Sequence, residues 1–449
     1  MKIEEITDRR VVVMGLGRFG GGIAVARWLA ERGARITVTD LASREDLCDS
    51  VAQLSDLPIA FHLGGHDTSD LDHCDLLVVS PAVPKDRSDF VARAVARGIP
   101  ITSEMNLFVE FCPARRVVGV TGSAGKSTTT AMVGAILTAA ADKGDLPKVW
   151  IGGNIGQSLL NHLEDMKSED IVVLELSSFQ LEDLAALKWS PSHAVITNIK
   201  PNHLDRHGNL AAYVDAKMNI VRYQSSDDMV FVHQNDTDLA RKVERVGASS
   251  QIIPYGWDPL FTGVLRVPGR HNVDNAAAAA AVARSLSVAD EIIKKALASF
   301  TGLPHRLEFV VEHNGVRYYN DSKSTTPDST VIALEAFDCP VVVMIGGRDK
   351  GMPFDDLTEK LADRAKAIIC YGQTGRRLFD MVSKHSDGAS QTARVELADG
   401  FEQAVTRAHA LAEPGNVVVL SPACTSYDMF SNYEQRGDAF RQIVCELVR

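Results

Sequence analysis

Several ingredients are scarce in this chain. Aromatic residues make up 6% of its 449 residues, and the seven cysteines (48, 74, 112, 339, 370, 424 and 445) are scattered with no Cys-x-x-Cys pair. That excludes a disulfide scaffold and a cysteine zinc site, and it fits a reducing compartment. The longest apolar run, Ala276 to Ala283, falls far short of the ~20 residues a membrane helix needs. Basic charge is also short: 47 Lys and Arg stand against 58 Asp and Glu, a net −11. No whole-chain footprint for nucleic acid exists, so anionic ligands need local sites made of backbone amides and single cations. The opening Met1-Lys-Ile-Glu-Glu-Ile-Thr-Asp has acids where a secretory leader needs bases and an apolar stretch. The expectation is a cytoplasmic protein with no membrane insertion and no nucleic-acid partner.

What is present suits folded domains. Hydrophobic residues are 45% and charged residues 23%, and 33 Gly with 17 Pro give no low-complexity bias. Short apolar runs alternate with helical patterns. Strands are expected at Val11–Gly15, Ile36–Thr39, Leu76–Ser80, Val117–Thr121, Ile171–Leu176, Ala194–Thr197, Val341–Ile345, Ala367–Tyr371 and Val417–Leu420. Helices are expected at Phe19–Arg32, at Asp89–Arg97 and from Lys126. Glu308–Val311 and Val316–Tyr319 read as a hairpin about Asn314-Gly315. The alternation predicts an α/β fold of mostly parallel sheets covered by helices. Boundaries near Ser103–Pro113 and Thr301–Pro304 give three expected domains, 1–106, 107–303 and 304–449.

Two glycine-rich turns follow strands and open helices. In Gly15-Leu-Gly17-Arg18-Phe19-Gly20 the glycines permit a tight turn and close approach of a phosphate to a helix N-terminus. Asp40 ends the next strand, where it would accept from a ribose hydroxyl. NAD is the default reading of this motif, and a UDP-sugar would use the same geometry. The second turn is Gly119-Val-Thr-Gly122-Ser123-Ala124-Gly125-Lys126-Ser127-Thr128-Thr129. Its amides would cradle phosphates, Lys126 would reach the β and γ oxygens, and Ser127 would ligate magnesium. Val120 stands where the strict phosphate-loop pattern has its first glycine.

Further candidates lie at strand ends. Glu175 closes an apolar strand and would hold a magnesium ion beside the loop. Taken alone, His203 reads as a loop histidine and Lys217 as a solvent-facing helix lysine. In the last third, Pro304-His305-Arg306, Asn320-Asp321-Ser-Lys323-Ser-Thr325, Gly346-Gly-Arg348-Asp-Lys350 and Ser421-Pro-Ala-Cys-Thr-Ser426 place cations and hydroxyls suited to phosphates or carboxylates.

In this order, the motifs resemble the Mur ligases, which add amino acids to the UDP-muramoyl precursor of peptidoglycan. The similarity covers essentially the whole chain, through Gly-Gly-Asn154-Ile-Gly, Leu-Glu175-Leu-Ser177-Ser-Phe-Gln-Leu-Glu, Asn-His203-Leu-Asp-Arg-His, Gly-Arg-His-Asn272-Val-Asp-Asn275 and Pro-His-Arg306-Leu-Glu. The segments Asp321-Ser-Lys323-Ser-Thr-Thr-Pro-Asp and Ser-Pro-Ala-Cys-Thr-Ser426-Tyr427-Asp-Met-Phe, with Tyr433-Glu-Gln-Arg-Gly, resemble the D-glutamate-adding branch. Ala124 departs from the Asn common there.

The resemblance implies an N-terminal Rossmann-like domain, a central domain of the phosphate-loop ATPase type and a C-terminal Rossmann-like domain. It implies an ATP-dependent ligase joining D-glutamate to UDP-N-acetylmuramoyl-L-alanine through an acyl phosphate, with two Mg2+ ions. Gly17, Arg18, Phe19, Asp40, Leu41, Asn154 and Ser177 would bind the UDP substrate, displacing NAD as a reading. Gly122 through Thr129, Asn272, Asn275, Arg306 and Asp321 would serve ATP. Lys323, Thr325, Lys350, Ser426, Tyr427 and Tyr433 would form the D-glutamate pocket. Lys126, His203 and Lys217 would be catalytic. Ser127, Glu175, His203 and a carbamylated Lys217 would hold the metal. A folate polyglutamating ligase and a dehydrogenase fused to a phosphate-loop switch are the rival readings.

Overall fold

The computed structural model describes residues 5–17, 20–247, 249–261, 263–349, 351–386 and 393–449. Among these residues there are three sheets. The first holds β1 (Arg10–Met14), β2 (Arg35–Asp40), β3 (Ala60–Leu63), β4 (Leu76–Val79) and β5 (Ile101–Thr102). They are ordered β3-β2-β1-β4-β5 and are parallel throughout. The second holds β6 (Arg116–Thr121), β7 (Val149–Gly153), β8 (Ile171–Glu175), β9 (His193–Ile196), β10 (Met229–His233) and β11 (Gln251–Tyr255). Its order is β11-β10-β9-β6-β8-β7, again all parallel. The third holds β12 (Glu308–His313), β13 (Val316–Asn320), β14 (Val341–Gly346), β15 (Ala365–Tyr371), β16 (Arg394–Leu397) and β17 (Val417–Leu420). Here the order is β12-β13-β17-β14-β15-β16, and only the β12–β13 pair is antiparallel.

The central strands are apolar because helices cover both their faces. Every residue of Ile171–Glu175 and of Val417–Leu420 is buried. The β12–β13 hairpin turns at Asn314 (φ 49°) and Gly315 (φ 75°), the two left-handed positions an Asn-Gly turn supplies.

The chain divides into two compact units. One comprises Met1–Asp258 with Asp274–Ile293, and the other Pro259–Val273 with Lys294–Arg449. The first unit contains the first two sheets, which are joined by specific contacts. Trp28 packs on Phe111 with ring centroids 5.3 Å apart. Asn106 Nδ2 donates to Asp183 O at 2.9 Å. Lys85 pairs with the Asp183 carboxylate, whose pKa burial still raises. Arg206 donates to Ala82 O at 3.1 Å and to Val83 O at 3.2 Å. Among the described residues no helix is long and apolar enough to cross a membrane.

Candidate active site

Parallel α/β sheets offer ligands the crevice beyond the carboxyl ends of their strands, and several sequence-identified residues lie at such strand ends within each unit. At the first sheet, Asp40 ends β2 with both carboxylate oxygens engaged by backbone. Oδ2 accepts from Gly17 N–H at 3.1 Å and Oδ1 from Ala42 N–H at 2.9 Å. The carboxylate therefore pins the glycine-rich turn to the end of β2, a bracing role the expected ribose contact did not include. Leu41 beside it is 72% exposed. Arg18 and Phe19 lie outside the described residues.

The second turn leaves β6 at Thr121 and enters the helix Lys126–Asp142. Gly122 has φ 154°, and a Cβ there would lie 1.9 Å from Thr197 Oγ1, so only glycine fits. The loop is braced from the end of β9. Ser123 N–H donates to Asn198 O at 2.9 Å, and Ala124 N–H to Asn198 Oδ1 at 3.1 Å. Thr197 Oγ1 and Asn198 Nδ2 both donate to Ala124 O, at 2.6 and 2.9 Å. Thr129 Oγ1 donates to the buried Asn275 Oδ1 at 3.2 Å, tying the expected ATP residue Asn275 to the loop's helix. Lys126 Nζ donates to Ser123 O at 3.4 Å. Ser127 and Thr128 follow it in the first helical turn, where free N–H groups and the helix dipole favour anions.

Lys217 corrects an expectation. It is not solvent-facing but 1% exposed. The helix Leu210–Arg222 presents its apolar face inward, and position 217 lies on that face among Tyr213, Ala216, Ile220 and Val221. Its Nζ donates to Gly122 O at 2.9 Å and Thr121 Oγ1 at 3.3 Å, and lies 4.8 Å from the Tyr213 ring centre. Burial, reinforced by the nearby Lys126 charge, lowers its pKa to about 7, with Glu175 opposing. A lysine amine this close to neutral is nucleophilic.

Glu175, at the end of β8, is 1% exposed. Its Oε1 accepts from Asn154 Nδ2 at 2.9 Å, while Oε2 is buried without a hydrogen-bond partner. Ser177 caps the next helix, accepting from Gln180 N–H at 3.2 Å. His203 occupies a left-handed turn (φ 51°), exposed, with its ring 5.4 Å from that of Phe179. Phe179 also stacks on His207 at 5.0 Å and lies under the Arg206 guanidinium at 4.6 Å. Among the described residues no three His, Cys, Asp or Glu side chains gather as a metal site.

In the second unit, Asp321 follows β13 and is 2% exposed. It accepts from Leu307 N–H at 3.1 Å and Ser421 Oγ at 2.8 Å. Burial raises its pKa to about 6. Arg306 is exposed on the neighbouring turn, and Asn272 is buried, donating to Pro268 O at 2.6 Å. Lys323 projects from the same loop as Asp321, its Nζ 5.7 Å from the Tyr433 ring centre, and Thr325 follows it. Ser426 is buried and Tyr427 is 62% exposed. Lys350 lies outside the described residues.

Several braces had no role in the sequence reading. Asn320, fully buried, donates to His305 Nδ1 at 3.0 Å, Glu308 Oε2 at 3.1 Å and Gly437 O at 3.2 Å. Tyr213 shares a hydrogen bond of 2.9 Å with Ser123 Oγ. Their only sequence signal was adjacency to a motif.

A phosphate loop facing a buried, near-neutral lysine and an orphaned carboxylate oxygen defines a phosphoryl-transfer α/β enzyme. Comparison with known proteins makes the class specific. The Mur ligase MurD-like N-terminal domain matches residues 9–103, the Mur ligase middle domain 120–260, and the Mur ligase glutamate ligase domain 305–424. The chain belongs to the Mur ligase family. Its relatives include the UDP-N-acetylmuramoylalanine--D-glutamate ligases of Roseiflexus sp. (strain RS-1) and Geotalea uraniireducens (strain Rf4). The first is 39% identical over 98% of this chain and 99% of its own length, the second 38% over 99% and 98%. Among solved structures, UDP-N-acetylmuramate-alanine ligase MurC from Thermotoga maritima is similar over 98% of this chain and 99% of its own. Its TM-score is 0.57 at 21% identity. MurF ligase from Thermotoga maritima in complex with ADP covers 100% of both chains at TM-score 0.54 and 18% identity. These two likenesses concern the fold.

Proposed function

We propose that this chain is an ATP-dependent amide ligase of cytoplasmic peptidoglycan-precursor synthesis, joining D-glutamate to UDP-N-acetylmuramoyl-L-alanine. The observation that carries the reading is the braced phosphate loop at the end of β6, with Lys217 bound to its Gly122 carbonyl and Glu175 at the end of the adjacent β8. The near-full-length similarity to D-glutamate ligases supports the substrates. We assign residues 1–106 to the UDP substrate, 107–303 to ATP and 304–449 to D-glutamate.

Magnesium fits the residues present. The Glu175 Oε2 atom is buried and unpartnered. The Lys217 amine, lowered to about 7 and so about half neutral at pH 7, would react with CO2 to give a carbamate and release a proton, adding anionic oxygens beside the loop. Ser127 and His203 complete the proposed donor set. Bound Mg2+ would neutralise charge between two anions that must meet.

Lys126 and the amides of residues 122–127 would hold the transferring phosphoryl group as the alanyl carboxylate attacks the γ-phosphorus and ADP departs. Asn272, Asn275, Arg306 and Asp321 are assigned to the nucleotide. Lys323, Thr325, Lys350, Ser426, Tyr427 and Tyr433 would orient D-glutamate, whose amine attacks the acyl phosphate. The tetrahedral adduct then loses the amine proton to solvent, expels phosphate and leaves the amide. Gly17, Arg18, Phe19, Asp40, Leu41, Asn154 and Ser177 are assigned to the UDP substrate.

The test is ADP release with UDP-N-acetylmuramoyl-L-alanine against a panel of amino acids. D-glutamate is expected to be required. Faster release with L-alanine or a diamino acid would overturn the branch assignment.

A further inference from the structure

Arg436, in the helix Tyr433–Leu447, is a buried cation, 1% exposed. Its hydrogen-bond partners are uncharged. Nε donates to Ser322 Oγ at 3.0 Å, Nη2 to Ser322 O at 2.9 Å and Nη1 to Cys424 O at 3.1 Å. The Ser322 hydroxyl in turn donates to Tyr433 O at 2.8 Å. Of the nearby acids, Asp349 pairs with Arg377 at 2.7 Å. Asp428 Oδ2 accepts from Gln373 N–H at 2.9 Å, while its Oδ1 is buried without a hydrogen-bond partner and so makes no hydrogen bond with Arg436. Among the described residues no carboxylate forms an ion pair with Arg436.

The guanidinium lies where three loops converge. Ser322 belongs to the loop after β13 and Cys424 to the loop after β17. A Cβ on Gly347, after β14, would stand 3.2 Å from Nη1. These strands are neighbours in the sheet, so Arg436 sits beneath the edge where α/β proteins bind ligands. An open cleft of about 440 Å³, lined by Arg348, Gly372, Gln373, Tyr427, Asp428 and Met429, adjoins them. A buried charge without a counter-ion is costly. An anion arriving at the loops above would offset that cost, and a neutral ligand would not.

We propose that Arg436 sets the enzyme's demand for an amino acid with a second carboxylate. It is a positioning residue whose hydrogen bonds hold the loops bearing Lys323 and Ser426. Its buried charge favours an anionic side chain on the incoming amine. This rests on the assignment of D-glutamate as substrate.

The experiment measures kcat/KM for D-glutamate and for its neutral analogue D-glutamine, with the KM of ATP, in full-length wild type, Arg436→Lys, Arg436→Gln and Ser322→Ala. Melting curves establish that each variant folds. Arg436→Gln is expected to lower the glutamate-over-glutamine preference by about tenfold or more, with the ATP KM within about threefold. Arg436→Lys, which keeps the charge, should hold the preference within about threefold of wild type. Equal losses in the two variants, or a preserved preference in Arg436→Gln, would overturn the proposal. Should both Arg436 variants fail to fold, Ser322→Ala decides, because it removes one acceptor and leaves the charge. The slackened loop should then lower kcat/KM for both amino acids alike and keep the preference, whereas an unchanged kcat/KM for both, or a tenfold loss of preference, refutes the proposal. A wild-type enzyme that releases ADP with another amino acid and not with D-glutamate defeats the substrate assignment instead.

Discussion

The Nζ of Lys217 donates to the carbonyl oxygen of Gly122 at 2.9 Å, which ties a buried amine to the backbone of the phosphate loop. Burial and the Lys126 charge lower this amine to about 7. In CO2-free buffer the folded protein therefore binds fewer protons at Lys217 than the unfolded chain does, from about pH 7 up to the ordinary lysine range. Stability should rise with pH across that window by up to about 1.4 kcal/mol per unit. Lys217→Met should lack this rise, as urea unfolding at pH 7 and 9 would show. Lys217→Ala leaves a cavity and should cost about 2 kcal/mol or more, against the ±0.5 kcal/mol usual for an exposed lysine. Both variants should nearly abolish ligation. Acetate or formate should partly restore Lys217→Ala. Full turnover by unrescued Lys217→Ala would remove the residue from the mechanism.

The phosphate loop gives a sharper contrast. Lys126→Ala removes one preorganised charge and should cost about 3 kcal/mol, on the order of 10²-fold in kcat, without rescue by carboxylates. Gly122→Ala adds a methyl 1.9 Å from Thr197 Oγ1 and should likewise lose ATP-dependent turnover. Gly122→Ala combined with Thr197→Ser would not recover it, because the serine Oγ occupies the same place. Measured ADP release near the wild-type rate in Lys126→Ala would mean that the loop is structural only.

Asp321 makes the opposite pH prediction. Its buried carboxyl is raised to about 6. Between about pH 4 and pH 6 the native state therefore binds more protons than the unfolded chain, and stability from this group falls as pH rises. Asp321→Asn should abolish that slope, so its stability relative to wild type improves between pH 4.5 and 6.5. Parallel wild-type and mutant curves would contradict the assignment.

The sequence was most legible where strands are buried on both faces. Among the described residues, eleven of the 17 strands carry apolar runs or a turn signal that marks them. Of the six that do not stand out, five (β3, β5, β7, β11 and β16) are sheet edges, short or half-exposed, where alternation replaces the continuous run. β12 is an edge that the sequence marks, because Asn314-Gly315 announces its hairpin. β10 is an exception, since Val230, Phe231 and Val232 are as buried as any core strand. The site divides in the same way. Gly122, Lys126 and Glu175 declare themselves by local pattern. The burial of Lys217 and the uncompensated charge of Arg436 depend on packing from distant segments, which no window of sequence contains.

Arg206 supplies the last prediction. Its guanidinium donates to the carbonyls of Ala82 and Val83, in the loop after β4, while lying over the Phe179 ring. It belongs to the short helix Leu204–His207, one turn from His203. The residue thus links a loop at the proposed UDP-substrate end of the first sheet to the turn carrying a proposed catalytic histidine. Hydrogen bonds from a charged donor contribute about 1.5–3 kcal/mol when buried, and this partly exposed pair should contribute less. Arg206→Ala should raise the KM for the UDP substrate by about five- to tenfold and leave the KM for ATP within about twofold. Arg206→Lys should recover part of the loss, because an ammonium can reach one carbonyl but lacks the fork that reaches both. Steady-state ADP release over a matrix of the two substrates separates the effects. Equal increases in both KM values would mean that Arg206 supports the fold generally, and an unchanged KM for the UDP substrate would show that the contact does not position that loop.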